Sequence, residues 1–121
     1  MRDTDRLFVP LSLEPYKWFR TGQKKWELRK YGRQYTEKHV QPGRRVELRN
    51  GYSNPDNALW GTIVAVECQE SIDRFFDRVP FQDVIPTASD RAEAIAVAES
   101  ILNIDSEDPR PVLGFQVVLE K

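Results

Sequence analysis

A chain of 121 residues, 40% apolar and 31% charged, can build one domain with its own core and falls in the globular class. No apolar run approaches the ~20 residues that span a bilayer, and Met1-Arg2-Asp3-Thr4-Asp5-Arg6 lacks the apolar stretch of a secretory signal. Cys68 and His39 are the only residues of their kinds, which excludes an internal disulfide and a His/Cys zinc site within one chain. A single domain over residues 1–121 in a reducing, cytoplasmic setting is expected, with no metal and no cofactor.

The net charge of −1 conceals a split. Residues 14–49 hold eleven Lys or Arg against four Asp or Glu, a balance of +7; residues 67–121 hold five against twelve, a balance of −7. Such asymmetry suggests an anionic partner for the basic half. The competing reading is that the halves neutralise each other on folding. Tyr16, Trp18, Trp26, Tyr31 and Tyr35 all lie in the basic half, and aromatics among basic residues suit a nucleobase or single-stranded nucleic acid.

In chain order, residues 7–13 read as a first strand, with Pro10 tolerable near a sheet edge. Glu14-Pro15 opens a short helix that carries Tyr16, Phe19 and Arg20 at helical spacing. Gly22 suits the left-handed residue that ends it. Residues 25–30 alternate as a second strand, with Trp26 and Leu28 on one side and Lys25, Glu27 and Arg29 on the other. Residues 31–41 show no period and read as an irregular loop, with one helical turn at 36–39, bearing Arg33, Lys38 and His39. Pro42-Gly43 marks a turn into a third strand over 44–49, where Val46 and Leu48 oppose Arg45, Glu47 and Arg49. Residues 50–57 are a loop by composition.

Residues 59–67 read as a fourth strand, buried on both faces, with Gly61 marking a bulge. Cys68 is placed on one face with Val64 and Val66, as a structural buried thiol. Ser71 caps a short helix containing Ile72, Phe75 and Phe76, and residues 81–87 connect. Ser89 or Asp90 caps a helix over 91–102; with Asp90 as the cap, Glu93 occupies the capping-box position. Its apolar stripe is Ala94, Ile95, Ala98, Ile101 and Leu102. An acidic loop over 103–110 leads to a last strand over 113–119, with Phe115, Val117 and Leu119 on one face and Gly114 as a second bulge. Strands and short helices mix without regular alternation, which predicts an α+β fold with a curved sheet rather than a doubly wound one.

The densest polar chemistry lies in Gly22-Gln23-Lys24-Lys25-Trp26-Glu27-Leu28-Arg29. Its charged residues can form a solvated outer face, a cross-strand ladder from Glu27 and Arg29 to Arg49 and Glu47, or the wall of a polar pocket. The spacing of Gly22, Lys24, Glu27 and Arg29 resembles the opening motif of ASCH (activating-signal-cointegrator-homology) domains. The turn Gln41-Pro42-Gly43-Arg44-Arg45-Val46, the strand from Trp60 to Cys68 and the strand from Pro111 to Glu120 are similar to later family segments. Arg44 departs from the pattern, which often has an acid there.

The resemblance implies a small PUA-like β-barrel of about five to six strands with flanking short helices. It also implies a cleft beside the first helix that binds RNA or a nucleotide-like ligand. In that cleft Arg29 would grip a phosphate or base edge, Lys24 would supply a point charge, and Glu27 would accept from an exocyclic amine. Lys25 and Arg49 complete the expected binding set. The expected partner is RNA, a nucleoside or a nucleotide, with no membrane and no sequence-specific reading of DNA.

Some ASCH proteins are amidohydrolases on acylated cytidine that pair the motif lysine with a threonine and a distant glutamate. Lys24 matches the lysine, but Glu27 stands where the threonine would. As an enzyme, the chain would rely on Lys24 and Glu27 to activate water; Asp83 and Glu70 lie in the region of the distant acid. A ribonuclease using Lys24 and Arg29 is a variant of this reading. A protein-interaction domain using the acidic half is the third possibility.

Overall fold

The computed structural model describes residues 6–51 and 55–120; residues 1–5, with most of the N-terminal segment, and residues 52–54 of the loop after the third strand lie outside them. Five strands, β1 (Leu7–Leu11), β2 (Trp26–Lys30), β3 (Arg45–Asn50), β4 (Leu59–Gln69) and β5 (Val112–Leu119), form one mixed sheet. Its order is β1-β3-β4-β5-β2, and it curls into a half-barrel. Only β1 and β3 pair in parallel; the other pairs are antiparallel. With helices α1 (Leu13–Arg20), α2 (Ile72–Phe75) and α3 (Arg91–Leu102), the fold is α+β. No helix among the described residues is long and apolar enough to cross a membrane.

Local chemistry sets the element ends. Gly22 adopts φ +82°; its N–H donates to the Phe19 carbonyl and the Gln23 N–H to the Trp18 carbonyl. This double bond pattern closes α1 and turns the chain straight into β2. Asp90 is the cap of α3, accepting from the Glu93 N–H at 2.8 Å. The Glu93 carboxylate reaches back to the N–H of Ser89, one residue before the usual capping-box donor.

Apolar side chains pack on both faces of the sheet. Leu7, Val9, Leu11, Val46, Leu48, Ile63, Phe115 and Val117 form a core with Tyr16 and Phe19 of α1. On the other face, Leu28 and Val112 pack with Phe75 of α2, Ala94 and Ala98 of α3, and Val84 and Ile85 between them. Gly114 is a packing position, not the expected bulge. A Cβ there would lie 2.3 Å from the Phe75 ring, so only glycine lets that ring rest on β5. Gly61 is likewise close-packed, with a would-be Cβ 2.7 Å from Val117 Cγ1.

The irregularity in β4 falls between Ile63 and Ala65 instead. It turns Val64 outward, 46% exposed, while Val66 and Cys68 pack against the first core. The three therefore do not share a face. Cys68 is half-buried, and desolvation, with Glu37 and Glu67 nearby, raises its thiol pKa.

A ladder between β2 and β3, one of the three readings of these charges, does not form, because β2 pairs with β5 and β3 pairs with β1 and β4. Each strand instead carries its own Glu-Leu-Arg triplet. Glu27 bonds Arg29, and Glu47 bonds Arg49 and Arg6. The triplets face opposite ways: Leu48 enters the first core and Leu28 the second.

β1 and β2 are the sheet's two edges and make no strand pairing with each other. Pro10, lacking an N–H, sits on such an edge as the physics of proline requires. Two side chains span the open seam. Arg29 Nη2 donates to the Pro10 carbonyl at 2.7 Å and Gln34 Nε2 to the Phe8 carbonyl at 3.1 Å.

Candidate functional site

A cavity of about 230 Å³ opens in this seam, lined from one side by Pro10, Leu11 and Trp18 and from the other by Lys24, Glu27 and Arg29, with Val84, Ile85 and Ile101 among its apolar walls. β2 brings the charged groups there directly. Strand alternation puts Glu27 and Arg29 on the face opposite Leu28, and the turn after α1 lays Lys24 beside them.

The three charges form one cluster, buried at Lys24 and Glu27 and half-buried at Arg29. Lys24 and Glu27 are 5% and 7% exposed. Lys24 Nζ donates to the Val84 carbonyl at 2.6 Å, stands 3.3 Å from Glu27 Oε1, and lies 5.5 Å from the centre of the Phe19 ring. Arg29 Nε donates to Glu27 Oε2 at 2.7 Å, and its Nη2 is 2.6 Å from the same oxygen. The guanidinium lies over the Tyr35 ring, 5.1 Å from its centre. Two cations thus share one carboxylate in a largely apolar site.

The electrostatics follow from burial. Desolvation lowers the Lys24 pKa from its ordinary 10.5, outweighing the pull of Glu27. Burial pushes Glu27 upward, but Arg29 and Lys24 together outweigh it and hold the carboxyl below its ordinary 4.5. In both cases the unfolded chain binds more protons than the folded one between the two pKa values, so stability rises with pH. Unfolding free energy is therefore expected to fall as pH drops from 4.5 through the folded pKa of Glu27. It should rise as pH climbs from the folded pKa of Lys24 towards 10.5. Urea unfolding across pH checks this; Lys24→Met should flatten the alkaline slope and also shrink the acid limb, because Lys24 helps hold Glu27 down.

Of the five residues expected to bind, the structure brings Lys24, Glu27 and Arg29 together and leaves two elsewhere. Lys25 is exposed and contributes its backbone N–H to the Asp83 carbonyl. Arg49 pairs with Glu47 and lies 4.7 Å from the Phe8 ring centre, away from the cavity. Neither Asp83 nor Glu70 lines the cavity, and Glu70 borders a separate depression beside Cys68 and Arg74. Glu27 is the acid in the cavity wall.

Sequence reasoning missed the apolar walls. Trp18, Val84 and Ile101 meet through the fold, and no local pattern announces it. Ile101, a member of the apolar stripe of α3, is 61% exposed at the cavity. The basic half is partly consumed internally: Arg45 pairs with Glu120 of the acidic half and lies 4.1 Å from the centre of the Trp60 ring. Lys17, Lys25, Lys30, Arg33 and Lys38 remain exposed.

No protein-family model matches the chain, and no curated protein matches it in sequence. Its fold is similar to that of two solved structures. One is the crystal structure of the hypothetical protein PH0355, at 16% identity and TM-score 0.76, covering 95% of this chain and 99% of that one. The other is the solution structure of protein PF0455 from Pyrococcus furiosus, at 17% identity and TM-score 0.68, covering 96% and 98%. At such identities the likeness is one of fold.

Proposed function

We propose that this chain is an ASCH-type domain of the PUA-like class that binds RNA or a nucleotide-like ligand in the seam cavity. The observation that carries the reading is the cluster of buried Lys24 and Glu27 with half-buried Arg29 in the wall of an otherwise apolar cavity. A cluster with two cations and one carboxylate has a formal charge of +1 and favours an acceptor-rich or anionic ligand. Keeping such charges out of water is costly, so their concentration in a cavity suits a binding role better than a purely structural one. The spacing of Gly22, Lys24, Glu27 and Arg29 supports the family assignment. The exposed Lys17, Lys25, Lys30, Arg33 and Lys38 supply charge for a phosphate backbone.

The test is anisotropy titration of a short, mixed-sequence, fluorescently labelled RNA at rising salt. Binding is expected at low salt and should weaken as salt rises, because phosphate contacts release counterions. Absence of binding to RNA and to free nucleotides at low salt would remove the reading.

A hydrolase of a modified nucleoside or of RNA is the second reading, favoured by the lowered Lys24 pKa beside a carboxylate. Lys24 Nζ is already held by the Val84 carbonyl and Glu27, and no second acid lines the cavity. Release of acetate from acetylated cytidine is accordingly expected to be far slower than the ~1–1,000 per second of ordinary enzymes.

A further inference from the structure

The polar wall of the cavity presents its groups in a fixed order. Glu27 is flanked by Lys24 at Oε1 and by Arg29 at Oε2, so the sequence of groups is donor, acceptor, donor. Each retains hydrogen-bonding capacity. An ammonium has three N–H groups, and Val84 and Glu27 engage two of them. Arg29 uses Nε and Nη2 on Glu27 and Pro10, and Nη1 finds no protein partner among the described residues. Glu27 Oε1 faces one partner, at 3.3 Å, and a carboxylate oxygen has two lone pairs.

The complementary ligand edge reads acceptor, donor, acceptor. Among nucleobases that is the imide edge of uracil, with O4, N3–H and O2 in order. Cytosine would turn its unprotonated N3 towards the Glu27 carboxylate and its amine towards a cation. Guanine would also set an amine against a cation. The cavity, at about 230 Å³, lies below the ~300–1,000 Å³ of sites for drug-sized ligands. It therefore suits a single pyrimidine ring, with the sugar left at the mouth.

We infer that the seam cavity reads the imide edge of a uracil-type base, with N3–H donating to Glu27 and the two carbonyls accepting from Lys24 and Arg29. The inference rests on the nucleotide-binding reading and sharpens it to one base class. Its selectivity is strong because a mismatched base leaves buried polar groups facing like groups.

The experiment titrates the native chain with the 5′-monophosphates of uridine, 3-methyluridine and cytidine, followed by calorimetry or by tryptophan fluorescence, since Trp18 lines the cavity. The uridine nucleotide should bind, with the other two weaker by at least tenfold. Methylation removes the N3–H donor and puts a methyl group in its place, while it leaves both carbonyls and the phosphate where they were. A cytidine or 3-methyluridine nucleotide binding within tenfold of the uridine nucleotide, or more tightly, overturns the imide inference and leaves the nucleotide reading standing. Binding of mixed-sequence RNA without measurable binding of the uridine nucleotide does the same. No binding to any of the nucleotides or to RNA overturns both.

Discussion

Replacing Glu27 with alanine should lower the stability of this protein by about 3–5 kcal/mol, because it strands two cations away from water. Lys24 and Arg29 both neutralise against that carboxylate, and neither has another acid in the cavity wall. Arg29→Ala should cost less. Glu27 keeps Lys24 as a partner, and Arg29 is itself partly exposed. Lys24→Met should be near neutral or stabilising, since it removes a desolvated cation and leaves Glu27 paired with Arg29. Urea unfolding of the three variants at neutral pH checks this ranking. Glu27→Ala within about 0.5 kcal/mol of the native protein would place the cluster with ordinary surface charges, against its burial. If Lys24→Met is stable and fails to bind nucleotides, the lysine is retained for binding and not for folding.

The second large effect lies across the sheet. Phe75→Ala should cost about 3–5 kcal/mol, for the ring is fully buried and makes edge contacts with Trp26 and Phe76, at 6.0 and 5.7 Å between ring centres. Its seat is Gly114, where any Cβ would collide with the ring. Gly114→Ala should therefore destabilise by overpacking, by about 1–3 kcal/mol or somewhat more. In a Phe75→Ala background the same change should lose most of its cost. Thermal melts of the two single variants and the double variant measure that coupling. Strict additivity would contradict the contact.

The elements were legible because local chemistry specifies them. Gly22 after an amphipathic run, Asp90 with Glu93, and the alternation in the second, third and last strands each mark a boundary within a few residues of the observed one. Strand partners were not legible in the same way. The charge pattern of β2 and β3 invites a ladder between Glu27–Arg29 and Glu47–Arg49, yet identical triplets met different neighbours. The register depends on which apolar face each strand buries, and that is settled by contacts distant in sequence. The two bulges assigned to glycines failed for a related reason. A glycine in a strand marks either a bulge or a close approach, and at Gly61 and Gly114 the approaching group comes from another element. The motif's polar trio was readable, since Lys24, Glu27 and Arg29 lie within six residues. The cavity walls were not, because residues near 10, 84 and 101 converge only in the finished fold.

The strand order has a consequence for synthesis. β2 is completed by residue 30, yet its partner in the sheet is β5, at residues 112–119. During translation β2 has no ladder to join until nearly the whole described chain has left the ribosome. β1, β3 and β4 can associate earlier. For most of the chain's production, then, Lys24, Glu27 and Arg29 stay hydrated and apart. Their withdrawal from water is coupled to the arrival of β5, when the packing that compensates it becomes available. Such long-range closure is slow relative to local pairing, so nascent chains arrested before residue 112 should display an open sheet with β2 unpaired.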